Sequence, residues 1–272
     1  MTKTILITGA SRGFGKLWAK TFLERGDKVA ATARRLSDLD DLVSEFGELV
    51  VPIQLDVTNR NSTFEAIKYA NAALGSIDIL INNAGFGLFG AIEEATEEEA
   101  RQQIETNIFG LLWATQAILP IMRNQGHGHI IQLSSALGLT AVPTLGIYSA
   151  SKFAVEGLSE SLAAEVAGFG IKVTLLEPNG FSTDWAGASS SHSTPMDEYA
   201  GVHSAFQNNA KPSDYGDPAA TSAALLKLVD SENPPLRLFL GNMAYPWIKY
   251  VYEQKLATWE EWKEISAAAH GA

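Results

Sequence analysis

One stretch constrains the fold of this chain more than any other. Thr4–Thr8 is short, apolar and β-branched, and it runs straight into TGASRGFG. A helical pattern through Leu17, Trp18, Phe22 and Leu23 follows and is closed by Gly26. A buried-type strand, a glycine turn and an amphipathic helix in that order form the first unit of an alternating α/β sheet. The same loop suits a phosphate. Gly9 permits the tight turn, Gly13 lets backbone approach a pyrophosphate, and Gly15 leaves room for the helix to pack. The helix N-terminus adds free N–H groups and partial positive charge. Ser11, Arg12 and Phe14 complete this candidate nucleotide loop. Its spacing is G-x-x-x-G-x-G rather than G-x-G-x-x-G, so a plain βα turn stays an alternative.

The alternation continues along the chain. Strand patterns at Lys28–Ala33, Leu49–Leu55, Ile77–Ile81, the run from Ile130, Ile171–Leu176 and Leu236–Leu240 are separated by helical ones. Such a pattern predicts a parallel sheet covered on both faces, with ligands at the carboxyl ends of its strands. At 272 residues the chain has room for one large domain or two small ones. With no repeat, linker or second domain in view, residues 1–272 are read as one. The lack of cysteine excludes disulfides, thiolate metal sites and cysteine nucleophiles. A net charge of −11 argues against nucleic-acid and anionic-membrane partners. Neither a signal-peptide pattern nor an apolar run of the roughly 18 residues of a membrane span is visible, so a cytoplasmic location is expected.

Where a dinucleotide's adenosine ribose would be read, about 20 residues past the glycines, stand Ala33, Arg34 and Arg35 in place of an acidic residue. Guanidinium groups suit a 2′-phosphate, which favours NADP over NAD; a solvated surface pair is the alternative. Asp56-Val57 ends the third strand, where the carboxylate either accepts from an adenine amino group or caps the next helix. Asn82-Asn83-Ala84-Gly85 ends the fourth, with amides able to pin backbone and small residues that admit a flat ligand. Thr96 and Glu99 form a capping box, so the surrounding EEATEEE cluster reads as helix-start electrostatics. Its long helix, to about Asn124, carries Asn107 among apolar neighbours, either structural or part of a water relay. His127-Gly-His129 reads as a turn rather than a metal site.

Downstream lies IIQLSSALGLTAVPTLGIYSASK, Ile130 to Lys152. An apolar strand ends at Ser134-Ser135, a loop follows, and a helix opens at Tyr148. Tyr148 and Lys152 are four apart and share a helix face. A nearby ammonium lowers a phenol's pKa from its usual value of about 10, so such a phenol can give or take a proton near neutral pH. A strand-end serine could bond the same reacting oxygen. From Phe181 to about Gly216 the chain is polar, Ser-rich and aperiodic, which suggests a lid. A helical tail at about 244–270 follows; its Trp247, Tyr250, Trp259 and Trp262 read as packing residues.

Together these motifs resemble the compact single-domain branch of the short-chain dehydrogenase/reductase family: Thr8-Gly9-x-x-x-Gly13-x-Gly15, Asp56, Asn82 to Gly85, Asn107, Ser135, Tyr148-x-x-x-Lys152 and Pro178 to Thr183. Their order and distances carry the resemblance. It implies a Rossmann-type doubly wound parallel sheet of seven strands and hydride transfer between a nicotinamide and a carbonyl or alcohol carbon. It implies Tyr148 as general acid/base, and Lys152 as the residue that lowers the phenol pKa and bonds the nicotinamide ribose. Ser135 would orient the substrate oxygen, being 13 residues before the tyrosine as in the family. Asn107 would hold a water that links Lys152 to solvent. NADP(H) would lie along Gly9, Ser11, Arg12, Gly13, Phe14, Gly15, Arg34, Arg35, Asp56, Val57, Asn83, Ala84, Gly85, Pro178, Gly180 and Thr183, meeting Tyr148 and Lys152. The family has Pro-Gly where Asn179 here separates Pro178 from Gly180, which leaves open whether Thr183 or Ser182 meets the nicotinamide. A homodimer or homotetramer is expected.

The reading that follows is an NADPH-dependent carbonyl reductase, its substrate lined by Phe86, Leu137, Val142, Leu145, Phe181 and Trp185; ordinary loop packing is the alternative for that lining. Oxidation of a steroid-, retinol- or sugar-like alcohol by the same site, or a cofactor-binding sensor without turnover, are the competing functions.

Overall fold

A computed structural model of the chain describes residues 2–187, 189–209 and 211–271. One sheet holds seven strands: β1 (Thr4–Ile7), β2 (Lys28–Ala33), β3 (Val50–Gln54), β4 (Ile79–Asn82), β5 (Gly128–Leu133), β6 (Ile171–Pro178) and β7 (Arg237–Leu240). Their order is 3-2-1-4-5-6-7, and every neighbouring pair is parallel. The helices are α1 (Gly13–Glu24), α2 (Asp40–Phe46), α3 (Arg60–Leu74), α4 (Glu97–Ile104), α5 (Leu111–Gln125), α6 (Gly146–Val166), α7 (Ala200–Asn209), α8 (Thr221–Val229), α9 (Ala244–Glu261) and α10 (Lys263–Ala268). The alternating pattern predicted a parallel sheet, and its form is the doubly wound Rossmann-type architecture that the resemblance implied.

Strand periodicity divides the core between the two faces of the sheet. On β1, Ile5 and Ile7 join Trp18 and Phe22 of α1, Leu42 of α2 and Leu225 of α8. Leu6 lies on the other face with Ile67 of α3, Ile118 of α5 and Leu162 of α6. The strand order reverses between β1 and β4, and the carboxyl ends there are where open α/β sheets bind ligands.

Four local features differ from the sequence expectation. His129 lies inside β5, buried and bonded to Thr174 Oγ1 at 3.0 Å, because a parallel neighbour on each side extends the strand upstream of its apolar run. α6 opens two residues before Tyr148, at Gly146. The 181–216 segment is not aperiodic throughout: it contains α7 and a two-residue strand, Ser191–His192, paired parallel with Leu88–Phe89. In the tail, Tyr250, Trp259 and Trp262 are exposed rather than packed, at 61%, 62% and 56%. Between α4 and α5, a π-helical turn at Glu105–Gly110 carries Asn107. Among the described residues, no helix is long and apolar enough to cross a membrane.

Candidate active site

Two cavities meet above the carboxyl ends of the strands. The first, of about 1090 Å³, is lined by Gly9, Ser11, Arg12, Gly13, Phe14, Arg34, Asp56, Val57, Ala84 and others around them. The second, of about 990 Å³, is lined by Ser135, Tyr148, Lys152, Pro178 and Gly180. All six residues of the expected apolar set also line it: Phe86, Leu137, Val142, Leu145, Phe181 and Trp185. Asn83, Gly85, Phe86, Leu133, Thr183 and Trp185 border both and mark the junction. Thr183 stands at that junction; Ser182 lines neither cavity.

Backbone builds the first cavity. Gly9 has φ +68°, open to glycine at no steric cost. A Cβ on Gly15 would lie 2.2 Å from the Gly9 carbonyl oxygen and 2.4 Å from Asn83 Nδ2, so α1 can approach the strand ends only with glycine there. Asn83 Nδ2 donates to the carbonyls of Thr8 (2.9 Å) and Gly9 (2.8 Å). Thr8 Oγ1 accepts the N–H groups of Asn83 and Ala84, each at 3.0 Å. The end of β4 thus locks the glycine loop. Arg12, the N-cap of α1, makes no side-chain cap bond, and no acidic residue stands in the helix's first turn. An uncapped positive helix end on a cleft between Arg12 and Arg34 suits the pyrophosphate and phosphate groups of a dinucleotide.

The other expected cofactor residues divide. Asp56 Oδ1 accepts from Thr58 N (3.0 Å) and Thr58 Oγ1 (2.8 Å). Asn59, not Asp56, caps α3, its side chain accepting from Ser62 N. Arg35 does not line the cavity; its guanidinium is held by Asp38, Nη2 to Oδ1 at 2.8 Å. Asn82 is a core residue, buried and donating to Gln132 (2.8 Å) and Thr115 (3.1 Å).

The second cavity takes its reactive groups from β5 and α6. Both serines border the cavity, but the Ser134 hydroxyl is engaged, its Oγ donating to Glu156 Oε1 at 2.5 Å, while Ser135 Oγ accepts from Leu137 N at 3.1 Å. Tyr148 is 5% exposed. Burial pushes its phenol well above the usual tyrosine value, and a hydrogen bond with Ser135 pulls weakly the other way. The lowering expected from Lys152 is not found. The ammonium sits 5.7 Å from the centre of the phenol ring and spends its hydrogen bond on the Leu133 carbonyl at 2.6 Å. Lys152 is itself pushed down to about 8 by burial, against an upward pull from Glu156. A phenol in this state holds its proton at neutral pH but is a weak acid, so donation calls for cationic charge beside it during the reaction.

Asn107 lines neither cavity but holds up their junction. Its Oδ1 accepts from Phe86 N (3.1 Å), and its Nδ2 donates to Phe86 O (3.0 Å) and Ser151 Oγ (3.1 Å). Trp185 lies against Tyr148, ring centres 4.9 Å apart.

Several lining residues escaped the sequence reading. Phe89, stacked on His192 at 4.9 Å, and Phe206 complete an aromatic wall, and Trp247 of the tail reaches the same cavity. No motif announces them, since they come from separate segments. Thr144, also on the cavity wall, is a β-branched residue at φ +65°, a costly conformation the surrounding contacts impose. The acidic cluster does more than start a helix. Glu94 accepts from Met196 N (2.8 Å) and His203 Nε2 (2.8 Å), Glu93 from the Tyr199 hydroxyl (2.5 Å), and Glu99 from Ser193 Oγ (3.1 Å). It is the seat on which residues 193–203 dock. The His127/His129 pair holds no metal geometry: His127 meets Asp78 at 3.2 Å, and among the described residues no three potential ligands cluster.

With this geometry in hand, comparison with known proteins places the chain. The profile of the family described as short chain dehydrogenase matches residues 3–194. The chain belongs to that family, whose members bind NAD(P) and act as oxidoreductases on small molecules. It is 41% identical over 273 residues to oxidoreductase BOA17 of Botryotinia fuckeliana, covering 99% of this chain and 100% of that one. It is 42% identical over 249 residues to a 3-ketodihydrosphingosine reductase of Bacteroides thetaiotaomicron, covering 88% of each. A crystal structure of a short-chain dehydrogenase from Streptomyces avermitilis superposes with a TM-score of 0.92 at 38% identity, covering 98% of both chains.

Proposed function

We propose that the protein is an NADPH-dependent carbonyl reductase acting on hydrophobic ketones or aldehydes. The observation that carries this reading is the junction: Tyr148, Ser135 and Lys152 open onto an apolar cavity where it meets the glycine-loop cleft. NADPH, bound along that cleft, would supply the hydride that reduces the carbonyl carbon. The chain's own residues do the rest. Arg12 and Arg34 meet the 2′-phosphate, and Gly9 to Gly15 with the N-terminus of α1 hold the pyrophosphate. Asp56 and Val57 border the adenine, and Thr183 and Gly180 meet the carboxamide end.

Ser135 orients the carbonyl oxygen, and Tyr148 gives it a proton. Burial favours the protonated phenol, the form reduction requires. Lys152 holds positive charge beside that transfer and meets the nicotinamide ribose. Asn107 fixes Phe86 at the junction and holds the water that connects Lys152 to solvent.

The aromatic wall suits an apolar substrate, and one relative is a reductase named for a keto substrate. In this reading residues 1–272 form one domain, with 181–216 as a lid over the substrate. The protein works as a homodimer or homotetramer in the cytoplasm, where NADPH is kept reduced.

The test is turnover. Purified protein with NADPH and a panel of aryl and long-chain ketones should consume cofactor, followed by absorbance, at least about tenfold faster than with NADH. No consumption across the panel, with thermal stability unchanged by NADPH, defeats the proposal.

A further inference from the structure

Behind the serine pair the fold buries a group of charges that neither cavity uses. Three carboxylates share one guanidinium. Arg237 on β7 lies 3.0 Å from Glu156 Oε2, 3.0 Å from Glu160 Oε2 and 3.4 Å from Glu177 Oε1. Glu160 is exposed, but the side chains of Glu156 and Glu177 are 6% and 0% exposed. Buried charge on this scale is costly unless it is paired, so its position calls for a reason.

That position is one helical turn past Lys152. Tyr148, Lys152 and Glu156 follow one another at i, i+4 and i+8 along one face of α6. On the side toward β5, Glu156 Oε1 accepts the Ser134 hydroxyl at 2.5 Å. Ser134 also donates its N–H to the Leu176 carbonyl of β6 at 2.9 Å. Alternation along the extended chain then sends Ser135 to the opposite side, toward the cavity.

We propose that Glu156 is a positioning residue of this site: it anchors Ser134 so that Ser135 faces the substrate, and it supplies the counter-charge for the Lys152 ammonium. The inference rests on the reductase reading for its consequence in turnover, but its physical content stands without it. The ionisable groups around the ammonium are few. Tyr148 and Glu156 flank it on its own helix, with Glu177 of β6 and Arg237 of β7 behind Glu156; β5 presents only the Leu133 carbonyl and the serine hydroxyls. Burial drives Lys152 down, and Glu156 is the opposing pull. Among the described residues, Arg237 Nε at 3.4 Å is the cation that faces the Glu177 carboxyl. Burial pushes that acid up, with the Glu156 carboxyl acting in the same direction and Arg237 opposing. Of the two buried acids, Glu156 is the one on the helix face of the lysine, one turn away.

The experiment follows Lys152 directly, by ¹⁵Nζ NMR of lysine-labelled protein across pH, with the signal assigned from its loss in Lys152→Arg. In Glu156→Gln, which keeps an acceptor for Ser134 but removes the charge, the Lys152 midpoint should fall by about one pH unit, as expected for loss of a close opposite charge. Glu160→Gln, at the exposed acid, should leave it in place. Ser134→Ala cuts the hydroxyl anchor without touching the charge: the midpoint should hold while turnover drops several-fold. It also tests the idea should Glu156→Gln fail to fold by circular dichroism. Equal midpoints in wild type and Glu156→Gln overturn the counter-charge role; a Ser134→Ala protein with wild-type turnover overturns the anchoring role. A shifted midpoint in a protein that turns over no ketone with NADPH leaves the inference intact and defeats the reductase reading instead.

Discussion

The glycine-loop cleft and the apolar cavity lie side by side above one sheet, yet they are made differently. The cleft is built by main chain: Gly9, Gly15 and the end of β4 fix its shape through hydrogen bonds within a few residues of two strand ends. The cavity is built by side chains from β5, α6, the 181–216 segment and the tail, which meet only in the folded protein. A backbone site depends on positions where any Cβ is excluded. A side-chain site depends on docking, and docking can be loosened piece by piece.

The sharpest way to break this comparison is at the junction. Tyr148→Phe removes the proposed proton donor and leaves the main-chain cradle untouched. Turnover of a ketone should fall by about 10³-fold, the middle of the range for lost general acid catalysis, while NADPH affinity measured by fluorescence stays within about twofold. A variant that keeps its rate would place the chemistry elsewhere.

Next comes the cradle. Gly15→Ala places a methyl 2.2 Å from a carbonyl oxygen that Asn83 Nδ2 holds in a hydrogen bond. Overpacking of this kind costs roughly 1–3 kcal/mol, so the melting temperature should drop by several degrees and NADPH should no longer raise it. Arg34→Ala is milder. Losing one charge-assisted contact to a phosphate is worth about 1.5–3 kcal/mol. NADPH affinity should therefore fall at least about tenfold with NADH affinity unchanged, as isothermal titration would show. Equal losses for both cofactors would mean that Arg34 does not read the 2′-phosphate.

The same contrast explains what could be read in the sequence. The sheet and the glycine loop were legible because short continuous apolar runs and glycines between strand and helix report local geometry. That Tyr148 and Lys152 share a helix face was legible from their spacing, whereas the choice of Ser135 over Ser134 came from the family resemblance. Arg35 was not legible, since its partner Asp38 lies in the following turn and a guanidinium can go either way. The phenol's pKa was misjudged for a related reason: i, i+4 spacing puts Lys152 nearby but says nothing of burial or of the Leu133 carbonyl that accepts its hydrogen bond. Phe89, Phe206 and Trp247 carried no signal, because contacts between distant segments leave no periodicity.

The smallest expected effect lies in the docking of residues 193–203 on the acidic cluster. Glu94 is the centre of that seat. The Met196 N–H is the largest influence holding its carboxyl below the ordinary value of 4.5, with His203 and the Ala91 N–H acting in the same direction. A carboxyl lowered by the fold stabilises the docked state at pH above its ordinary value, and that contribution is lost as pH falls through the lowered one. Hydrogen exchange of residues 193–203 should therefore be protected at pH 7 and stay so to about pH 5, then open below the ordinary carboxyl range. His203→Ala removes one partner and leaves both backbone donors, so KM for a hydrophobic ketone should rise about threefold with kcat and NADPH affinity unchanged. If kcat falls with KM unmoved, residues 193–203 act on the reacting groups rather than as a wall. The apolar cavity would then share the rigidity of the cleft beside it.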